Sequence, residues 1–128
     1  MIKRYLLSAA SITALAAGAA FAQDNVLKIG ALVTQSGAGA SWGNGMLHAA
    51  QMAAEDANEA GGLEVGGTMY RVEVIAYDDN YKANEAVTAA NRLVYEDGVK
   101  YIVGTVGSAP ILAIQPITEQ EGVITMTL

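Results

Sequence analysis

Short apolar, β-rich runs alternate with amphipathic helical segments along this chain, and that alternation limits the fold more than any other feature. Residues 26–33 (VLKIGALV) form a short apolar run that reads as a buried strand. Over residues 42–60 the apolar residues Met46, Ala49, Ala50, Ala53 and Ala57 recur at helical spacing. Glu55, Asp56 and Glu59 fall on the opposite, solvated face, and Gly61-Gly62 ends the segment. Residues 63–68 read as a glycine-rich turn, and residues 69–77 as a second strand broken by Asp78, Asp79 and Asn80. A second helix is expected over 84–97, with Ala86, Ala90, Leu93 and Val94 on its apolar face and Gly98 as its cap. A third strand over 101–104, a third helix over 110–120 and a fourth strand over 123–127 complete the order β-α-β-α-β-α-β. Strands that alternate with helices in this way run parallel and are joined by right-handed crossovers. The expected fold is a doubly wound α/β sheet.

The first 22 residues stand apart. Lys3 and Arg4 open the chain, residues 6–20 carry no charge, and Ala20-Phe21-Ala22 puts small residues at the positions a signal peptidase reads. The apolar run is too short to span a bilayer, which takes about 20 residues. Residues 1–22 are therefore expected to be a secretory signal cut between Ala22 and Gln23, leaving residues 23–128 as the mature chain. Removing Lys3 and Arg4 takes the formal charge from −6 to −8. So acidic a surface argues against nucleic acid or anionic membrane as a partner. With no cysteine there is no disulfide, no thiolate metal site and no lipid-attachment residue, so the exported protein is expected free in its compartment. The chain closes on a strand with neither turn nor polar tail, and residues 23–128 are expected to be the first part of something longer.

In doubly wound sheets, ligands sit at the carboxyl ends of strands where the connections diverge. Two segments lie there: residues 34–43 after the first strand and residues 105–110 after the third. In the second, Ser108 can act as the N-cap of the third helix, with Pro110 in its first turn. It can also bind: a helix start presents free N–H groups, a hydroxyl beside them suits a small carboxylate, and Gly107 lets an anion approach the backbone. Trp42, the only tryptophan, reads either as a ring covering the sheet end or as a wall for an apolar ligand side chain. The glycines of residues 37–43 are spaced G-x-G-x-x-x-G, and the first carboxylate after the second strand lies about 40 residues on, so the dinucleotide fingerprint is not met. Asp78-Asp79-Asn80 lacks the further oxygen ligands of a calcium loop and reads as a strand-ending turn and cap cluster. His48 is the only histidine, with no nucleophile or carboxylate pair in a catalytic pattern around it. Neither a metal nor a cofactor is implied, and the remaining alternative of an exported α/β enzyme would need a nucleophile or metal set that the sequence does not show.

Read together, the ordered stretches 27–33 (LKIGALV), 41–43 (SWG), 57–63 (ANEAGGL), 74–79 (VIAYDD), 90–94 (ANRLV) and 97–104 (DGVKYIVG), with Gly107-Ser108 and Gln115-Pro116, resemble the start of type I periplasmic binding proteins. The group resembled is the leucine/isoleucine/valine-binding one of ABC importers. The resemblance covers residues 26–128. It implies two α/β lobes closing on an amino acid in the periplasm and docking on an inner-membrane permease. It further implies that Ser108 holds the ligand carboxylate and that Trp42 is the aromatic contact at the first helix. The next contacts, after the fourth strand, and the acid that pairs with the ligand ammonium, on the second lobe, would lie beyond Leu128. Thr34-Gln35-Ser36 departs from the proline-containing turn common in the group, as does His48-Ala49 within the first helix, so an amide, urea or aromatic-acid ligand stays open beside leucine, isoleucine or valine.

Overall fold

The computed structural model describes residues 25–127, so the expected cleavage point at Ala22 and Gln23 lies outside the described residues. The strands are β1 Val26–Val33, β2 Leu63–Val65, β3 Thr68–Asp78, β4 Tyr101–Gly104 and β5 Ile124–Met126. The helices are α1 Ala40–Glu59, α2 Ala83–Asn91 and α3 Ser108–Gln120. A 3-10 turn at Gly37–Gly39 precedes α1, and a π turn at Arg92–Glu96 continues α2. The five strands form one sheet in the order β2-β3-β1-β4-β5. β1 lies parallel to both β3 and β4, β4 lies parallel to β5, and β2 is antiparallel to β3.

The second half of β1, residues 30–33, is apolar and buried on both faces, as is usual for the middle strand of a parallel sheet, whereas its first half, which carries Lys28, is only partly covered. Successive side chains point to opposite faces. Ala31 and Val33 pack with Leu47 of α1 and with Val74, Ala76 and Val103. Leu32 points the other way, into a core with Ala86, Ala89, Ala90, Leu93, Val94, Val99, Ile102, Ile114 and Val123. One face of the sheet therefore carries α1 and the other carries α2 and α3, as the doubly wound expectation requires.

The structure corrects several local expectations. Residues 63–68 are not merely a turn: Leu63, Glu64 and Val65 pair with Tyr70, Met69 and Thr68 as a hairpin. Gly66 and Gly67, at φ +58° and +81°, supply the two left-handed positions that such a two-residue turn demands. α1 starts at Ala40 rather than 42, and its buried residues are Gly43, Leu47 and Ala54, whereas Ala49 and Ala53 are exposed. Almost every position from 46 to 54 is small or apolar, so periodicity could not fix the phase of this helix. Gly43 does: an ideal Cβ on it would sit 1.9 Å from the Thr34 carbonyl oxygen, so only a bare residue lets the helix lie against the end of β1. The helix ends as expected, with Gly62 N–H bonded to the Ala57 carbonyl and Gly61 N–H to that of Asn58. The second helix keeps its expected buried face of Ala86, Ala90, Leu93 and Val94, but loosens to π spacing in its last turn.

Candidate functional site

The connections leaving β1 and β4 diverge at the middle of the sheet, because α1 crosses one face and α3 the other. That is the topological switch point at which an α/β sheet leaves a crevice. Three segments meet there: the β1–α1 loop, the β3–α2 turn and the start of α3.

The β3–α2 turn fastens the β1–α1 loop. Asp78 accepts hydrogen bonds from the Gln35 N–H at 2.8 Å, from the Asn80 N–H at 2.8 Å and from the Ser36 hydroxyl. Asp79, fully buried, accepts the Thr34 hydroxyl and, at 2.9 Å, the Tyr81 N–H. Burial pushes the Asp78 carboxyl upward. The hydrogen bonds from the Ser36 hydroxyl and from the Asn80, Gln35 and Ser36 amides outweigh that and leave it below the ordinary aspartate value. The aspartate pair was expected to end the strand and cap the next helix. It does end the strand, but Lys82 occupies the N-cap of α2 without a side-chain cap bond. The carboxylates instead bond to a loop more than forty residues earlier in the chain.

At the start of α3 the expectation for Ser108 changes in one respect. Gly107 is the N-cap, in extended conformation, and Ser108 is the first helical residue. Ser108 is exposed, and its hydroxyl is not committed to capping. The first N–H groups of a helix have no partner within it, so Ser108 and Ala109 offer two free donors beside that hydroxyl, Pro110 having none. Gly107 is buried, with no room for a side chain. This combination suits a small carboxylate.

Trp42 sits in the first turn of α1 and is 71% exposed, so it does not cover the sheet end as a core ring would. It borders a shallow groove with Ser41, Gly45, Met46 and Ala49. Trp42 and Ser108 thus stand on adjacent strand ends, each open to solvent, and that groove does not extend to Ser108. His48 is exposed on α1, and Glu55, Asp56 and Glu59 are exposed as expected. Sequence reasoning missed Tyr81, whose ring lies against both Gly39 and Gly107. It also missed the part played by Asp78 and Asp79, because their partners are distant in sequence.

A two-sided α/β sheet with an open helix start at its switch point is the architecture of one half of a bilobed solute-binding protein. The family model for periplasmic binding proteins matches residues 26–128, and the chain belongs to that family. The Leu/Ile/Val-binding protein of Escherichia coli (strain K12) is 30% identical over 126 residues, which are 98% of this chain and 32% of that protein. Among solved structures, the branched-chain amino acid transporter substrate binding protein of Streptococcus pneumoniae, in complex with isoleucine, superposes with a TM-score of 0.73. It is 28% identical, over 80% of this chain and 28% of that one. A solute binding protein of an ABC transporter from Rhodopseudomonas palustris BisB5, in complex with 3,4-dihydroxy benzoic acid, gives 0.66 at 26% identity, over 80% of this chain and 26% of that one. The chain spans about a third of the length of the curated relatives it matches.

Proposed function

We propose that residues 23–128 form part of the first lobe of a two-lobed solute-binding protein that captures leucine, isoleucine, valine or a similar amino acid for an ABC importer. The observation that carries this reading is the uncommitted Ser108 hydroxyl beside the free N–H groups of α3, placed at the switch point of a sheet of this family. In this reading Ser108 and the helix start hold the ligand carboxylate, Gly107 allows its close approach, and Trp42 walls the ligand side chain. A second lobe supplies the ammonium partner and excludes water when it closes. The protein is a binding module rather than an enzyme. It is exported to the periplasm, processed between Ala22 and Gln23 and free of a lipid anchor, and its macromolecular partner is an inner-membrane permease. The Leu/Ile/Val-binding protein of Escherichia coli and the isoleucine complex of the Streptococcus protein support this choice of solute.

A second reading keeps the carboxylate site and changes the rest of the ligand to an aromatic acid. The Rhodopseudomonas structure with dihydroxybenzoic acid and the exposed indole of Trp42 favour it.

The test is Ser108→Ala in the two-lobed protein, titrated with isoleucine. A hydrogen bond to a charged group contributes about 1.5–3 kcal/mol, so affinity should fall about ten- to a hundredfold. Because Ser108 is not the N-cap, thermal stability should hold. Unchanged affinity in a folded variant refutes the assignment.

A further inference from the structure

We infer that Tyr81 is a positioning residue that sets the separation of the two ligand-bearing segments; this rests on the binding function proposed above. One edge of its ring touches both. An ideal Cβ on Gly39, in the turn that leads into α1, would lie 3.1 Å from Tyr81 Cδ2. One on Gly107, the N-cap of α3, would lie 2.8 Å from Cε2 and 3.1 Å from Cζ. The ring is thus wedged between the loop that carries Trp42 and the helix start that carries Ser108. Its own position is fixed from below. Asn80 and Tyr81 both adopt left-handed backbone conformations, at φ +49° and +56°; asparagine tolerates this, but a bulky residue such as Tyr81 holds it when its surroundings impose it. Asp78 accepts the Asn80 N–H and Asp79 the Tyr81 N–H, and the same two carboxylates hold Ser36, Gln35 and Thr34. One turn therefore anchors the β1–α1 loop by hydrogen bonds and spaces it from α3 by an aromatic edge. Tyr81 is 49% exposed, so the opposite part of the ring faces solvent.

A ligand held between Trp42 and Ser108 needs the two at a set distance, and a site fixed in advance binds more tightly than one that must be ordered on binding. Tyr81→Ala in the two-lobed protein should weaken isoleucine binding by about tenfold or more, whereas Tyr81→Phe, which keeps the ring edge, should stay within about threefold. Gly107→Ala should weaken binding through the 2.8 Å approach to the ring. In the Tyr81→Ala background, where that ring is gone, the share of its cost that comes from the ring should disappear and only direct obstruction of the ligand should remain, a non-additivity that independent sites do not show. Isoleucine affinity by calorimetry, with thermal unfolding of each variant alongside, reads all four variants against the parent. Equal losses for Phe and Ala mean that the hydroxyl acts directly, and additive effects of Tyr81→Ala and Gly107→Ala mean that the ring does not space the segments; either overturns the inference. So does unchanged affinity in Tyr81→Ala; if Ser108→Ala still loses affinity, the proposed function stands without it. Failure of the parent to bind isoleucine removes that function and the inference together.

Discussion

Replacing Gly43 by alanine sets two effects of opposite sign against each other. Gly43 lies inside α1, where alanine is favoured over glycine by about 1 kcal/mol. The added Cβ, however, would fall 1.9 Å from the Thr34 carbonyl oxygen and 2.5 Å from its carbonyl carbon. Ordinary contact begins at 3.4 Å, so the start of α1 has to retreat from the end of β1 by about 1.5 Å. The obstacle is backbone and cannot swing aside like a flexible side chain. Overpacking typically costs about 1–3 kcal/mol and occasionally more, and an overlap this deep with rigid backbone falls at the top of that range, so the net loss should be about 2 kcal/mol once about 1 kcal/mol of helix propensity is subtracted. Gly45, two residues on in the same helix, is the control: a Cβ there meets nothing within 4 Å. Gly45→Ala should therefore stabilise by about 0.4–1 kcal/mol. For a domain of this size 1 kcal/mol moves Tm by about 4–8 °C, so the two variants should separate by at least about 6 °C in opposite directions from the parent. Thermal and urea unfolding of the chain from Gln23 onward measures both. Stabilisation by Gly43→Ala equal to that of Gly45→Ala would refute the claim that this glycine sets the seat of α1 on the sheet.

Other outcomes follow from the same contacts. The Asn58 side chain donates to the Val72 carbonyl at 2.9 Å and accepts the Val72 N–H at 2.8 Å, continuing along β3 the pairing that β2 leaves off. Asn58→Ala should destabilise by about 1–3 kcal/mol, measured by urea unfolding, with a loss under 0.5 kcal/mol counting against that role. The folded Asp78 carboxyl lies below its unfolded value, so its contribution is present above the unfolded pKa of about 4 and is lost as pH falls through the folded one. Tm of the parent should therefore drop more steeply below about pH 4 than that of Asp78→Asn, and parallel profiles would contradict the clamp. The chain without a second lobe should bind leucine, isoleucine or valine no tighter than millimolar. Its polar contacts are open to water, contribute about 0–1 kcal/mol each and cannot offset the cost of immobilising the ligand; micromolar binding by a monomeric chain would show that the half-site suffices.

What could be read from the sequence was what local pattern encodes. The strand at residues 26–33, the strand at 101–104 and the buried face of α2 follow from apolar runs and from spacing at 3.6 residues, and the structure holds them where that spacing puts them. Ser108 and Trp42 could be singled out as candidates because each lies in a helix start that follows a strand of the sheet. The phase of α1 was not legible, since alanine, glycine and methionine occupy both of its faces and the deciding contact is Gly43 against a backbone atom nine residues earlier in the chain. The Asp78 and Asp79 clamp was invisible for a related reason: an aspartate before a helix looks alike whether it bonds to its own turn or to a loop across the sheet. Tyr81 carries no signal at all until Gly39 and Gly107 are brought to either end of one ring edge.

The central claim is that this sheet end belongs to an amino-acid receptor. Calorimetric titration of the two-lobed protein with leucine, isoleucine and valine, and separately with benzoate, tests it most directly. Saturable micromolar or tighter binding of at least one of the three amino acids, with no heat from benzoate, is the predicted result. Saturation by benzoate, with none of the amino acids bound, would contradict it and move the assignment to an aromatic-acid receptor of the same family.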